Sequence, residues 1–305
     1  MNDFLNRILV ATDGSEDAEL AIRAVVDLAD GTGSELHVIH AWRRVLPAAT
    51  YSSAVDDYAY RVYEQHAVEL LGEQVRLVED KGGTVTGAHL REGRPAGAIA
   101  GLAEELDVDL LVLGSRGLGA VERLVTGSVS EGVVHLATCP TLLMRGGEGA
   151  WPPSRIVVGD DSSEESEKAG RLAVNLGRLF GRRALLVRVY PPQTTYKSAR
   201  VFNADMTPKP LEEMDEPLKR RAVQLAWRRD AQREEMRPEI KAATGDPAAV
   251  LQEIADEGEG TTLVAVGSRG LGTVRRFALG SVSTAVLRAV DGPVLIVPPP
   301  KGESR

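Results

Sequence analysis

Residues 114–128 read GSRGLGAVERLVTGS, and residues 267–281 read GSRGLGTVRRFALGS. In each stretch two glycines are separated by two residues, and Gly-Ser follows after nine more. The matched positions are Gly114, Gly117, Gly127 and Ser128 in the first stretch and Gly267, Gly270, Gly280 and Ser281 in the second. The offset, 267 − 114 = 153, is about half of the 305-residue chain. The sequence therefore predicts a tandem duplication of one domain that carries a glycine loop.

The starts of the two copies predict the domain boundaries. The first copy begins with RILVATDGS at residues 7–15, and the second begins with RIVVGDDSS at residues 155–163. The stretch between the copies, GGEGAWPPS, is rich in Gly and Pro, which suits a boundary. We expect residues 1–146 to form the first domain, residues 147–154 the linker, and residues 155–299 the second domain.

Strand-like and helix-like patterns alternate in each copy. Runs such as VDLLVLG and PTLLMR are almost continuously apolar, which is typical of parallel strands covered on both faces. Ser15 is a predicted cap of the first helix, and its counterpart is Ser162 or Ser163, with Glu165 completing a capping box if Ser162 is the cap. The sequence predicts an α/β fold of two tandem doubly wound domains, each with a five-stranded, mainly parallel sheet.

Composition excludes several classes of protein. The chain is 43% hydrophobic and 26% charged, as in ordinary soluble globular proteins, and its formal net charge of −8 argues against nucleic acid as a partner. No apolar run approaches the ~20 residues of a membrane helix, so a cytoplasmic location is expected. The single Cys139 is predicted to be buried and cannot form an internal disulfide. His37 and His40 are predicted to point to opposite faces of a strand, so no metal site is predicted.

The glycine stretches are predicted to bind an anion. In doubly wound sheets ligands lie beyond the carboxyl ends of the strands, and these loops follow the fourth strand of each copy. We expect their glycines to adopt positive φ and to let N–H groups approach a phosphate. The helix that begins at Gly-Ser has free N–H groups for an anion, and Arg116 and Arg269 add a cation to each loop.

Two known phosphate loops do not match. The chain has no G-x-x-x-x-G-K-[ST] pattern, and Glu122 stands where a dinucleotide fingerprint has glycine. The serines of the loops are not in a G-x-S-x-G elbow, which argues against a serine hydrolase.

Together these features resemble the universal stress protein family in its tandem, UspA-type form. The resemblance rests on the aspartate after strand 1, on Gly-x-Pro at 93–95 and 245–247, and on the glycine motif, in that order in both copies. It covers nearly the whole chain. It implies an adenine nucleotide alpha hydrolase-like fold and the subclass of the family that binds ATP.

The resemblance also implies a role for individual residues. Asp13 and Asp161 would contact the ribose, and the backbone at Ala41 and Val189 would border the adenine. The phosphates would be held by Gly114, Arg116, Gly117, Gly127, Ser128, Val129 and Ser130 in the first copy, and by Gly267, Arg269, Gly270, Gly280, Ser281, Val282 and Ser283 in the second. Mg²⁺ would bind through the phosphates. Because Ser162 replaces Gly14, the second site is expected to be the weaker one.

Three functions remain open at this level. The first is an ATP-binding stress-response regulator, the second is a slow ATPase or phosphotransferase that uses the same loops, and the third is a ligand-free scaffold with structural glycines. No general base is predicted, since Glu122 corresponds to Arg275 in the second copy. We therefore expect no catalytic residue and at most weak ATP hydrolysis.

The last strands of the copies lead to an expectation about assembly. Residues 141–145 and 293–297 are apolar and come last in their sheets, so they are predicted edges that need a partner. In the family that the chain resembles, the corresponding strands pair between domains. We expect such pairing within the chain, together with a homodimer.

Overall fold

A computed structural model describes residues 4–43, 53–117, 127–190, 215–226, 237–257, 259–268 and 279–299. The chain divides into two compact units, Met1–Glu148 and Gly149–Arg305. Within the described residues, each unit contains five strands that alternate with helices.

The first unit consists of β1 (Arg7–Ala11), α1 (Glu16–Thr32), β2 (Glu35–Trp42), α2 (Ser53–Asp80), β3 (Val85–Glu92), α3 (Pro95–Glu105), β4 (Leu110–Gly114), α4 (Ser128–Leu136) and β5 (Thr141–Met144). Its strands are ordered β3-β2-β1-β4-β5, and every neighbouring pair is parallel.

The second unit repeats this arrangement with β6 (Arg155–Gly159), α5 (Glu164–Leu179), β7 (Ala184–Tyr190), α6 (Glu216–Ala226), β8 (Glu239–Thr244), α7 (Pro247–Asp256), β9 (Thr262–Gly267), α8 (Ser281–Ala289) and β10 (Val294–Val297). Its strand order is β8-β7-β6-β9-β10, again with parallel pairs. The predicted fold class is confirmed.

The direction of winding changes at the middle of each sheet. From β1 the chain moves outward through β2 to β3, and it then returns to β4 on the other side of β1. Because the crossovers are right-handed, α1 and α2 cover one face of the sheet, and α3 and α4 cover the other. The central strands are therefore buried on both faces, and Ile8, Leu9 and Val10 have no exposed surface. Cys139 is also buried, as predicted.

The turns after β1 and β6 share one unusual backbone conformation. Gly14 has a φ of 79°, and its counterpart Ser162 has a φ of 71°. For a residue with a Cβ, this left-handed conformation costs about 1 kcal/mol. Ser162 is consequently not the cap of α5. Ser163 is the cap and accepts a hydrogen bond from the Ser166 N–H at 3.0 Å, so the alternative capping box between Ser162 and Glu165 is not formed.

The second unit has a buried ionic cluster below this turn. The Arg188 guanidinium donates to the Asp160 carboxylate and, at 2.9 Å, to Asp215 Oδ1. The Tyr190 hydroxyl donates to the other oxygen of Asp215 at 2.6 Å, and Arg221 approaches Asp160 at 3.8 Å. Asp160, Asp215 and Arg188 are each less than 9% exposed. Two carboxylates therefore share one buried arginine.

The titration of the cluster follows from these contacts. Burial disfavours the charge on Arg188, but the hydrogen bond and the charge of Asp160, with the charge of Asp215, raise the pKa of Arg188 above its usual value. Burial, and then the hydrogen bond to Asp215, raise the pKa of Tyr190. Arg188 stays charged and Tyr190 stays neutral at physiological pH.

The first unit has no acidic side chain in the corresponding hydrogen bonds, which join a threonine, a glutamine and a histidine. The Thr12 N–H donates to Ile39 O, and in the second unit the Asp160 N–H donates to Val187 O. Ile39 and Val187 therefore occupy the same position, and the residues that follow them, His40 and Arg188, correspond to each other. His40 Nδ1 lies 2.8 Å from the Thr12 carbonyl oxygen. The Thr12 hydroxyl donates to Gln74 Oε1 at 2.7 Å. The two units therefore have the same backbone hydrogen bonds at this place but different buried side chains beside them.

Arg188→Met should destabilise the chain strongly, because it leaves two buried carboxylates without their shared cation. Breaking a buried pair costs about 3–5 kcal/mol. The matched control is Arg171→Met, which removes an exposed pair with Glu167 on α5 and should cost about 0.3–0.5 kcal/mol. Equilibrium unfolding in urea measures both, and equal small losses would contradict a structural role for the cluster.

Candidate functional site

In the first unit three chain segments meet at the carboxyl edge of the sheet, where β1 and β4 are neighbours. The first segment holds Asp13, whose Oδ1 accepts from the Ser15 N–H at 3.1 Å. The second follows Gly114, the last residue of β4. The third begins at Gly127, whose N–H donates to Ser115 O at 2.8 Å. These bonds place the aspartate, the glycine loop and the start of α4 beside one another.

The second unit repeats these contacts. Ser163 N–H donates to Asp161 Oδ1 at 2.9 Å, and Gly280 N–H donates to Ser268 O at 2.7 Å. The serine hydroxyls one turn into α4 and α8 also match, since Ser130 donates to Gly114 O at 2.8 Å and Ser283 donates to Gly267 O at 2.7 Å. Both hydroxyl protons are therefore used to tie a helix to the end of a strand.

The helices that follow the glycine loops begin without a side-chain cap. Gly127 and Gly280 are the N-caps of α4 and α8, and neither has a side chain to accept from the helix. By contrast, α1, α5 and α7 are capped by the side chains of Ser15, Ser163 and Asp246. The N–H groups of the first turn of α4 and α8 have no acceptor within the helix. Ser128 and Ser281, the first helical residues, are exposed. This edge can accept an anion in each unit.

Close packing, and not the expected positive φ, explains the glycines at positions 114, 117 and 267. None of the five described loop glycines has a positive φ. A Cβ on Gly114 would lie 2.8 Å from the Ala18 backbone nitrogen, and one on Gly267 would lie 2.7 Å from the Glu165 Cβ. A Cβ on Gly117 would overlap the Asp13 carboxylate. For the described loop glycines the expectation about φ was wrong. Glycine is needed at 114 and 267 because the first helix approaches the end of the fourth strand too closely for any side chain.

Arg116 is bound to the first turn of α1. Its Nε lies 3.0 Å from Asp17 Oδ2, its Nη2 lies 3.2 Å from Asp17 Oδ1, and its backbone N–H donates to Asp17 Oδ2 at 3.1 Å. The Ser15 hydroxyl donates to the Arg116 carbonyl at 3.2 Å. The sequence analysis did not identify Asp17. A first-turn acid is common in helices, so the sequence pattern does not distinguish this one.

The remaining candidate residues lie at the same edge or outside the described part of the chain. Ala41 and Val189 are half-buried at the ends of β2 and β7, where they pair with Arg91 and Ala243. Val129 is 37% exposed, and Val282 is half-buried. Arg269, Gly270, Glu122 and Arg275 lie outside the described residues.

The described residues contain neither a membrane-spanning helix nor a metal-binding cluster. No helix among them is long and apolar enough to cross a membrane. In the same residues no three His, Cys, Asp or Glu side chains are grouped so that they could hold a metal ion.

Comparison with known proteins identifies the family of both units. Residues 5–145 and 153–298 each match the profile of the universal stress protein family. A universal stress protein of Staphylococcus haemolyticus is 36% identical over 147 residues, which are 45% of this chain and 83% of that protein. One from Staphylococcus aureus is 36% identical over 141 residues, or 45% of this chain and 82% of that protein.

A solved universal stress protein from Archaeoglobus fulgidus matches the whole length. It covers 97% of this chain and 99% of its own, with a TM-score of 0.69 and 22% identity. At this level of identity the match shows a common two-unit fold.

A histidine pair in the first unit was not predicted from the sequence. His37 Nδ1 lies 3.0 Å from His89 Nε2. The register of β2 and β3 places His37 opposite Gly87, where a Cβ would come within 2.6 Å of the His37 ring. The missing side chain leaves room for the two rings to meet.

Burial, and then the charges of His89 and Arg7, lower the pKa of His37 despite the opposing effect of Glu35. Burial and the charge of Arg91 lower the pKa of His89 despite Glu105. The pair therefore binds protons less readily in the folded protein than free histidine does.

The free energy of unfolding should fall as the pH drops below about 6.5, the ordinary histidine pKa, because the unfolded chain then binds protons that the folded pair resists. Above that pH the contribution of the pair is constant. His89→Gln should flatten this dependence, whereas His135→Gln should leave it unchanged. Urea unfolding between pH 5 and pH 8 tests this, and an unaltered slope in His89→Gln would refute it.

Proposed function

Because this chain belongs to the universal stress protein family in both of its units, we propose that it is an ATP-binding regulator of a stress response. Occupancy of the site by nucleotide would change the conformation or the partner of the protein. The observation that carries the proposal is the pair of uncapped helix starts, at Gly127 and Gly280, each at the carboxyl edge of its sheet. The same arrangement with matching hydrogen bonds occurs in both units, which supports a binding site for the phosphates over a turn with a purely structural role.

The contacts refine the part that each residue plays in this proposal. The phosphates of ATP would accept from the N–H groups of Ser128, Val129 and Ser130 in the first unit, with the Ser128 hydroxyl as a further donor. Ser130 contributes its N–H only, because its hydroxyl already donates to Gly114. Asp13 would contact the ribose, the backbone of Ala41 would border the adenine, and Mg²⁺ would bind through the phosphates.

The second unit would use the corresponding groups. Ser281, Val282 and Ser283 supply the helix N–H groups, Asp161 faces the ribose, and the backbone of Val189 borders the adenine. We include Arg269 and Gly270 in this site from their positions in the repeated motif. The strained Ser162 in the turn beside Asp161 makes this the weaker site.

A regulatory role fits the described carboxylates better than hydrolysis does. A slow ATPase needs a carboxylate or a histidine to activate water at the γ-phosphate. Asp13 accepts from the Ser15 N–H, and Asp17 is paired with Arg116. These two carboxylates are thus engaged in holding the backbone. The alternative, a slow ATPase or phosphotransferase, would need its base elsewhere.

The proposal also covers the ligand class, the assembly and the cellular location of the protein. An adenine nucleotide, and not nucleic acid, suits a chain whose net charge is −8. We also propose that the last strands of the two units pair within the chain. The protein would form a homodimer and would be located in the cytoplasm.

ATP with Mg²⁺ should bind at up to two sites per chain, the second more weakly. Isothermal calorimetry on the full chain, with displacement of a fluorescent ATP analogue, measures stoichiometry and affinity. Absence of both heat and displacement would refute the proposed function. If a single site is found, Gly117→Ala should abolish it and Gly270→Ala should not.

Gly117→Ala combined with Gly270→Ala should weaken ATP binding by about 100-fold, or ~2.7 kcal/mol. The added Cβ on Gly117 meets the Asp13 carboxylate and pushes it away from the ribose position. The fold should survive, because the obstructing atom is the end of a side chain. Gly101→Ala on α3 is the control, since no atom lies within 4 Å of its added Cβ. Wild-type affinity in the folded double variant would show that the loop assignment is wrong.

A further inference from the structure

We propose that Asp17 and Arg116 form a clamp that positions the glycine loop of the first unit, and that Arg116 acts through this clamp and not as a ligand of the phosphates. The inference rests on the proposed nucleotide site. It assigns Asp17 a role that the repeated motif does not suggest, and it revises the role expected for Arg116.

The clamp has contacts to both the side chain and the backbone of Arg116. The Asp17 carboxylate accepts from the guanidinium through both of its oxygens, at 3.0 and 3.2 Å, and from the Arg116 N–H at 3.1 Å. The Ser15 hydroxyl donates to the Arg116 carbonyl. The start of α1 therefore holds one loop residue at its N–H, its carbonyl and its side chain.

Burial and charge favour a persistent pair. Asp17 is 8% exposed and lies in the first turn of α1, where the helix dipole stabilises a carboxylate. Paired hydrogen bonds between arginine and a carboxylate are among the stronger ones in proteins. If Arg116 turned toward a phosphate, Asp17 would be left buried without its partner. Such a loss opposes the use of Arg116 as a phosphate ligand.

The clamp is connected to the proposed ribose contact. Gly117 directly follows Arg116, and the Asp13 carboxylate occupies the place that a Cβ on Gly117 would need. The Gly127 N–H is bonded to Ser115, the residue directly before Arg116. Fixing Arg116 thus sets the positions of Asp13 on one side and of the start of α4 on the other.

The second unit offers a natural comparison. Glu165 occupies the place of Asp17, with its Cβ against Gly267 as Asp17 packs against Gly114. A longer carboxylate is therefore compatible with this helix start. Asp17→Glu is the conservative variant in which the clamp can re-form.

The two roles of Arg116 predict effects of opposite sign for Asp17→Asn. Removing a negative charge near a triphosphate should strengthen ATP binding if Arg116 is released to contact the phosphates. It should weaken binding if the clamp positions the loop. Glu16→Gln is the matched control, because it removes an exposed charge from the same helical turn without touching the loop.

The experiment uses the full chain with Gly270→Ala as background, so that only the first site is measured. We expect Asp17→Asn and Arg116→Gln each to weaken ATP binding about tenfold, with no further loss in the double variant. Asp17→Glu should restore most of the affinity, and Glu16→Gln should bind as the background does. Equal or tighter ATP binding by Asp17→Asn would overturn the proposal.

Amide hydrogen exchange without nucleotide provides a second readout. The Arg116 N–H donates to Asp17, so its exchange should accelerate at least tenfold in Asp17→Asn and not in Glu16→Gln. If the full chain without substitutions fails to bind ATP, the proposed function fails, and exchange alone then decides whether the clamp exists. Unchanged exchange of the Arg116 amide in Asp17→Asn would overturn the clamp in either case.

Discussion

The first helix of each unit packs so closely on the end of the fourth strand that the strand must end in a residue without a side chain. Gly114 meets the backbone at Asp17 and Ala18, and Gly267 meets the backbone and Cβ of Glu165. This approach brings the capped start of one helix next to the loop that leads to another. The geometry of the whole carboxyl edge depends on it, because the loop leaves the sheet directly from that glycine.

The N-termini of α1 and α4 lie at this edge and have different roles. The start of α1 is filled by its own side chains, with Ser15 as the cap and Asp17 bound to the loop. The start of α4 has only Gly127 as its cap and leaves its first N–H groups without a side-chain acceptor. One helix thus stabilises the loop, and the other retains the donors that an anion needs.

Duplication preserved this edge while the side chains below it diverged. The first unit places Thr12, Gln74 and His40 there, joined by hydrogen bonds that involve no acidic side chain. The second places Asp160, Asp215 and Arg188, joined by buried charges. In both sets the side chains under the turn after the first strand form hydrogen bonds, as buried polar groups generally do in proteins. The backbone hydrogen bonds of the edge are the same in the two units, which shows that they do not depend on either set of buried side chains.

The sequence by itself determined the duplication, the parallel α/β architecture and the location of the glycine loops, because these follow from repeated spacing and from the periodicity of apolar residues. It did not determine why the glycines are needed, and it did not reveal the pairs Asp17–Arg116 and His37–His89. These pairs join residues 99 and 52 positions apart. Their contacts arise from strand order, from register, and from the distance at which a helix packs on a strand. Local sequence patterns encode none of these, so only the tertiary structure decided them.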